Sequence, residues 1–448
     1  MKENWVNTTI KKKDILVCGF ALFAIFFGAG NLIFPPYLGV LSGDRWYIAM
    51  FAFILSDPVL PILGVIVSAS LGGRADDLGK RVSPFFATML GMISILIIGP
   101  LYAIPRTGAT THEILVRPLF SGIPSWVSCL VFFGLTLHIT LKPGKVIDFI
   151  GKYLTPALLL ILGMIITISI VSPPYAMETT EATNLFTKGF LEGYQTMDAL
   201  CASLIAGIVI ADLSRRGYTE KKIQLRASIQ TGLVAFVLLA VVYGGLTYAG
   251  ATVGAHFEAD VERTALLIGM VELLLGNTGK IFMGIATALA CLTTSTGLVS
   301  ICGNYFESIS KGKLKYNQIV YLCVGISFIL SQIGVDGLIR IAGPVLLAIY
   351  PVVIVLIFLS IFDKKIKYNW TYTGAVVGAF FISIIQSLYI VLGPEKGVAL
   401  KYWVDRIQDL PLSRFGFEWL LPSAIAAVLF TVLSMVTQKG KVYSDATD

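Results

Sequence analysis

Leu16-Val-Cys-Gly-Phe-Ala-Leu-Phe-Ala-Ile-Phe-Phe27, then Gly28-Ala29-Gly30-Asn31, then Leu32-Ile-Phe-Pro35-Pro36 is the stretch whose reading decides the fold. From Asp14 to Leu41 it is apolar over a length that crosses a bilayer, which takes about 20 residues as helix. Its middle is built to break. Gly28 and Gly30 lower the cost of leaving helical dihedrals, Asn31 suits a helix cap, and Pro35 and Pro36 forbid regular bonding one turn later. The expectation is two half-helices. Within hydrocarbon, irregular backbone persists only where protein buries it or where it lines a wet cavity, so the broken centre should face a site.

Composition places that stretch in a membrane. The 448 residues are 56% hydrophobic and 14% charged, with a mean hydropathy of +0.81. Soluble domains carry far more charge. The Lys11-Lys12-Lys13 start is not read as a secretory leader, because the apolar run after it is too long, lacks a small-x-small cleavage pattern, and precedes many further spans. The six cysteines all fall in apolar segments and read as small packing residues. Twelve spans are expected, near 14–41, 46–71, 84–111, 123–141, 148–172, 186–212, 222–250, 277–304, 317–334, 336–361, 370–393 and 416–437. Alternate loops then collect most of the 34 lysines and arginines. The positive-inside rule puts that side, and both termini, in the cytoplasm. The net charge of +7 therefore reports orientation, and no nucleic-acid partner is expected.

Along the chain, polar and breaking residues recur at mid-depth. Span two holds Asp57-Pro58 and Pro61, and a buried aspartate either faces the interior or caps the turn around Pro58. Span three carries Gly99-Pro100-Leu-Tyr102-Ala-Ile-Pro105-Arg106-Thr107, a kinked segment whose Tyr102 reaches toward a central cavity; an interface anchor explains Arg106 better than a ligand contact does. His138 in span four reads as a packing histidine. Lys152, at the start of span five, reads as a snorkelling anchor. Span six is the second interrupted one. Gly193, Thr196 and Asp198 put polar groups halfway across, which fits either an unwound turn or a surface turn before a helix starting near Ala199. The stretch 256–275 reads as an amphipathic helix on the outer mouth. Span eight contains Thr293-Thr294-Ser295-Thr296, more hydroxyls than bonding to carbonyls one turn back requires. Asp336 and Arg340, at the start of span ten, are expected to pair with each other.

The two interrupted spans are the first and the sixth, five crossings apart. A repeated unit with an odd number of crossings re-enters from the opposite face, so a duplication here has inverted topology. Half-helix N-termini present free N–H groups to an anion, and half-helix C-termini present bare carbonyls to a cation. A zwitterionic amino acid fits both. The amides of Gly28, Ala29, Gly30 and Asn31 are expected to hold a carboxylate. Carbonyls around Gln195, Thr196 and Met197, beside Asp198, would hold an ammonium. Spare carbonyls near Ala24 and Phe27, with Thr293 and Thr294, would hold a hard cation such as Na⁺, and Phe26 and Phe27 would contribute an apolar wall.

The run 26–36 together with Gly99-Pro-Leu-Tyr-Ala-Ile-Pro-Arg-Thr107 resembles the bacterial branched-chain amino acid:cation symporters, the BrnQ-type carriers. The resemblance extends through span count, loop charge and the Leu-Thr-Thr segment of span eight. It implies an all-α polytopic membrane protein with a LeuT-like five-plus-five inverted repeat, units 14–172 and 186–361. Two accessory helices at 370–437 and cytoplasmic ends at 1–13 and 438–448 complete that organisation. It further implies uptake of leucine, isoleucine and valine across the bacterial inner membrane, driven by Na⁺ or H⁺, with no obligate protein partner. By the same likeness Ala24, Phe27, Ala290, Thr293 and Thr294 match a cation site between spans one and eight. Gly28 to Gly30 match a carboxylate-binding turn, and Tyr102 is a looser match for a carboxylate-contacting hydroxyl.

Two other classes compete. A channel also needs polar groups at mid-depth, but two breaks five spans apart favour alternating access over a repeated pore loop. A membrane enzyme fits worse, since His112-Glu113 does not extend to His-Glu-x-x-His and no nucleophile has a base beside it. A transporter-like amino acid sensor remains compatible with the residues.

Overall fold

The computed structural model describes residues 10–74, 76–141, 146–258 and 261–437, and among them no β-strand forms. The first span is two helices, α1 (Lys12–Phe26) and α2 (Ala29–Ser42). Phe27 leaves helical geometry at φ −78°, ψ 79°, and Gly28 is extended at ψ −174°. The Gly28 amide donates to Asn31 Oδ1 at 3.3 Å, closing the first turn of α2. α2 runs on through Pro35 and Pro36, and the regular bonding is interrupted there as expected. Their missing N–H groups leave the carbonyls of Asn31 and Leu32 without helical donors.

The second span is α3 (Trp46–Ile54) and α4 (Leu60–Leu71), joined by a widened turn in which Asp57 sits at φ −148°, ψ 113° before a cis Asp57–Pro58 bond. The third is α5 (Pro84–Leu96) and α6 (Ala103–Thr111), joined through Gly99 and Pro100, and followed by the single turn α7 (Arg117–Leu119). Then come α8 (Ser125–Leu141) and α9 (Val146–Val171). The sixth span is also split, into α10 (Leu185–Tyr194) and α11 (Asp198–Arg215), bent by 45° with Met197 in the left-handed region at φ 66°. This is the unwound turn, not a surface turn.

The remaining helices are α12 (Lys221–Val253), α13 (Arg263–Ile309), α14 (Tyr316–Ser331), α15 (Val335–Ile361), α16 (Asn369–Lys396), α17 (Val398–Gln408) and α18 (Leu420–Thr437). The stretch expected as an outer amphipathic helix is the first part of α13, set off by a kink at Gly276 (φ 69°). Each expected span coincides with helix. By length and composition, seven helical runs among the described residues qualify as membrane spans, up to eight with the bent α10–α11 pair, and three shorter apolar helices accompany them.

Packing is closest where side chains vanish. α2 lies along α12, and a Cβ added at Gly39 would overlap the Thr247 carbonyl, while one at Gly250 would overlap that of Pro36. Such stripes let helices approach without a hydrophobic driving force. α10 packs on α3 and α11 on α4, so the broken sixth span embraces the kinked second. α16 and α18 pair with each other and touch the rest mainly through α15.

Ion pairs tie the two ends of the bundle. At the basic end, Arg216 pairs with Asp14 at 3.3 Å and Arg81 with Asp363 at 2.8 Å. At the opposite end, Arg263 pairs with Glu192 at 2.6 Å and with Asp336 at 2.8 Å. That last contact corrects the expected Asp336–Arg340 pair: Arg340 is exposed, and Asp336 at the start of α15 faces the α13 arginine instead. His138 is exposed, not packed.

Candidate functional site

Four irregular turns meet at the centre of the bundle: Phe27–Gly28, the Asp57 turn, the Gly99–Tyr102 turn and Gln195–Met197. Around them lies a cavity of about 90 Å³, lined by Gly28, Asn31, Arg106, Thr196, Met197, Asp198 and Thr294 together with Phe26, Ile98, Ile205, Ile208, Leu298 and Ile301. One water needs roughly 10–15 Å³ measured this way, so there is room for several. The apolar lining from α11 and α13 runs from the breaks toward the basic end. Toward the opposite end the Arg263 cluster, with its guanidinium 4.1 Å from the Tyr37 ring centre, closes the bundle.

Asn31 organises one wall. With its Oδ1 held by the Gly28 amide, Nδ2 points at three oxygens: Asp57 Oδ2 at 3.0 Å, Asp198 Oδ2 at 3.0 Å and the Tyr243 hydroxyl at 2.5 Å. Asn31, Asp57 and Asp198 are all buried, Asp57 completely. Asp57 Oδ1 has no partner. Of the two readings of Asp57, the interior-facing one holds. Tyr243 also carries Phe27, which stacks on it at 6.2 Å and on Phe23 at 5.0 Å, outside the cavity lining.

Arg106 organises the facing wall, and here the structure corrects the sequence reading. The side chain is 5% exposed and lies in the middle of the fold, not at an interface. Its Nη1 donates to the Gln195 carbonyl at 2.7 Å and contacts the Tyr102 hydroxyl at 3.3 Å, and that hydroxyl donates to Gln195 Oε1 at 2.9 Å. Its guanidinium lies over Gly30 so closely that a Cβ there would come within 2.6 Å of Nη2. Among the described residues no carboxylate lies within ion-pair distance of it. A buried guanidinium without a counter-ion among the described residues, beside the N-terminus of α2, has the chemistry to hold an anion. The signal in the sequence was Pro105-Arg106 one turn beyond Tyr102 on the same helix face.

The remaining sequence candidates divide. Gly28, Asn31, Thr196, Met197 and Asp198 line the cavity, whereas Gly30, Tyr102 and Gln195 stand behind it as the bed of Arg106. The Gln195 carbonyl already accepts from a cation, so it is not the free carbonyl expected for an ammonium; the carboxylates opposite are the stronger acceptors. Ala29 begins α2 and Lys152 lies on α9, with both side chains outside the described residues. In the cation set, Thr294 lines the cavity with its hydroxyl unbonded to protein among the described residues. Thr293 Oγ1 donates to the Ala290 carbonyl at 2.8 Å, and Ala24 is on an exposed face of α1. α1 packs on α12 and α11, and α13 on α9, α6 and α2. Neutral hydroxyl and carbonyl oxygens suit a hard monovalent ion, and Thr294 supplies such an oxygen at the cavity wall.

The sequence model of the family described as "Branched-chain amino acid transport protein" matches residues 11–437. The branched-chain amino acid permease BraB of Bacillus subtilis is 38% identical over 433 residues, covering 94% of this chain and 96% of that protein. The branched-chain amino acid permease BrnQ of Escherichia coli K12 is 34% identical over 432 residues, covering 94% and 95%. Among solved structures, the inward facing conformation of Mhp1 is similar with a TM-score of 0.62 at 11% identity, over 96% of this chain and 92% of that one. A substrate-bound outward-open state of a Na⁺-coupled sialic acid symporter is similar with a TM-score of 0.55 at 15% identity, over 96% and 91%. At such identities the likeness is one of fold, and it is the LeuT-like helical architecture.

Proposed function

This chain belongs to the branched-chain amino acid transport protein family, and from that premise we propose that it imports leucine, isoleucine and valine by cation symport with alternating access. It is a transporter and not an enzyme. The basic end is the cytoplasmic face, both termini lie there, and the membrane is the bacterial inner membrane.

The observation that carries the reading is the pair of opposed walls. Arg106 over the N-terminus of α2 suits a carboxylate, Asp198 across the cavity suits an ammonium, and Ile205, Ile208, Leu298 and Ile301 suit a branched apolar side chain. A small zwitterion satisfies all three at once, whereas a cation or an anion alone leaves one buried charge uncompensated. Na⁺ is the ion favoured for the position between α1 and α13, where Thr294 and Thr293 would hold it with carbonyls near Ala24, Phe27 and Ala290. A closed outer end and a cavity running toward the basic end correspond to the cytoplasm-facing half of the cycle.

Counterflow of radiolabelled leucine in proteoliposomes, with Na⁺ and pH gradients imposed separately, tests the proposal. Exchange competed by isoleucine and valine but not by lysine or glutamate is the expected result. A carrier indifferent to both gradients would remove symport, and absence of leucine counterflow would remove the transport reading itself.

A further inference from the structure

Asp57 takes no part in the substrate contacts above, yet it is the most deeply buried carboxylate of the site. It shares a single amide donor with Asp198, each at 3.0 Å, and its second oxygen is bonded to nothing. The charged and titratable groups around the pair are Cys201 on α11 with Asp198, Tyr243 on α12, Tyr350 on α15 and Arg106 on α6. Arg106 alone is cationic, and it is turned to the Gln195 carbonyl. Two buried carboxylates therefore face neutral donors only, the Asn31 amide with the Tyr243 and Thr196 hydroxyls, and among the described residues no cation lies at ion-pair distance, a state that burial in low dielectric strongly disfavours.

We propose that the Asp57–Asp198 pair is a proton site, holding one proton that travels with each amino acid. A metal ion is the poorer occupant, since the point between the three oxygens is filled by the Asn31 amide nitrogen. A proton needs only one lone pair, and Asp57 Oδ1 offers one. The charges then close. One carboxylate is neutralised by the proton, the other by the substrate ammonium, and the substrate carboxylate by Arg106, so the loaded core is neutral. Removing the proton leaves one uncompensated negative charge beside the substrate. The site is separate from the position between α1 and α13, and it rests on the transport reading.

The test uses proteoliposomes loaded with a pH-indicator dye in weak buffer, with Na⁺ at equal concentration inside and outside, and with leucine counterflow measured on the same preparation. Leucine influx is expected to acidify the lumen, and Asp57→Asn is expected to lower the acidification per leucine at least tenfold. Leucine entry without acidification in the natural protein overturns the proton site while leaving transport intact. No leucine counterflow in the natural protein would overturn the transport reading and the proton site with it. An Asp57→Asn carrier that acidifies like the natural protein overturns the proposal. Should Asp57→Asn fail to exchange leucine, Asp57→Glu keeps an ionisable group and is expected to restore both signals; exchange by that variant without proton movement also overturns the site.

Discussion

At the scale of single residues, the site turns on which side chains carry charge into the core. Arg106 is held by a carbonyl and a hydroxyl and, among the described residues, by no acid, so its remaining donors are available to a ligand. Hydrogen bonds to charged groups contribute about 1.5–3 kcal/mol. Arg106→Gln is accordingly expected to weaken leucine binding roughly tenfold to a hundredfold, read by equilibrium binding of labelled leucine. The affinity for isoamylamine, which lacks the carboxylate, should not change; equal loss for both would make Arg106 a packing residue. Gly30→Ala drives a methyl into the same guanidinium and should act in the same direction. Thr294→Ala is expected to raise the cation concentration that gives half-maximal uptake, with leucine affinity at saturating cation little altered. An unchanged cation dependence would take α13 out of the ion site.

Elements matter through how they end and what ties the ends. Both broken spans place their irregular turns at the same depth, so free N–H groups of α2 and the first residue of α11 face one cavity. At the outer end Arg263 joins three elements, α13 by its own backbone, α10 through Glu192 and α15 through Asp336, with Tyr37 of α2 beneath it. The guanidinium and Glu192 are largely buried, where such contacts exceed the small value of exposed pairs. Arg263→Ala is expected to loosen these ends together. Amide hydrogen exchange in Leu185–Tyr194 and in the first turns of α15 should quicken about tenfold, with the basic-end helix termini unchanged. Unaltered exchange would mean that apolar packing alone closes this end.

For the molecule as a whole, close helix approach is what holds the broken segments in place. α2 is kept against α12 by Gly39 and Gly250, each filled by the other helix's backbone. Overpacking costs about 1–3 kcal/mol in a well-packed core. Gly250→Val should therefore lower the apparent melting temperature of the purified carrier and, by shifting α2, weaken leucine binding as well. A loss of stability with unchanged affinity would separate the α2–α12 seam from the site. α16 and α18 stand outside this core, and α18 exposes Val428, Leu429 and Val436 along its length. Lipid is the natural solvent for that face.

Local chemistry was legible in the residues. Apolar runs of bilayer length, the glycine pair at 28 and 30, the polar turn at 195–198 and the alternation of lysine-rich loops each act over one turn of helix or one loop. A single chain therefore displays them without folding. Where the sequence misled was in long-range pairing. Asp336 met Arg263 instead of Arg340, and Arg106 lay under the broken span instead of at an interface. A buried charge is positioned by whatever partner other helices bring within about 3 Å, and spacing along one helix carries no record of that. The chain by itself determined that it spans a membrane in pieces and where those pieces break; tertiary packing decided which charges the breaks enclose.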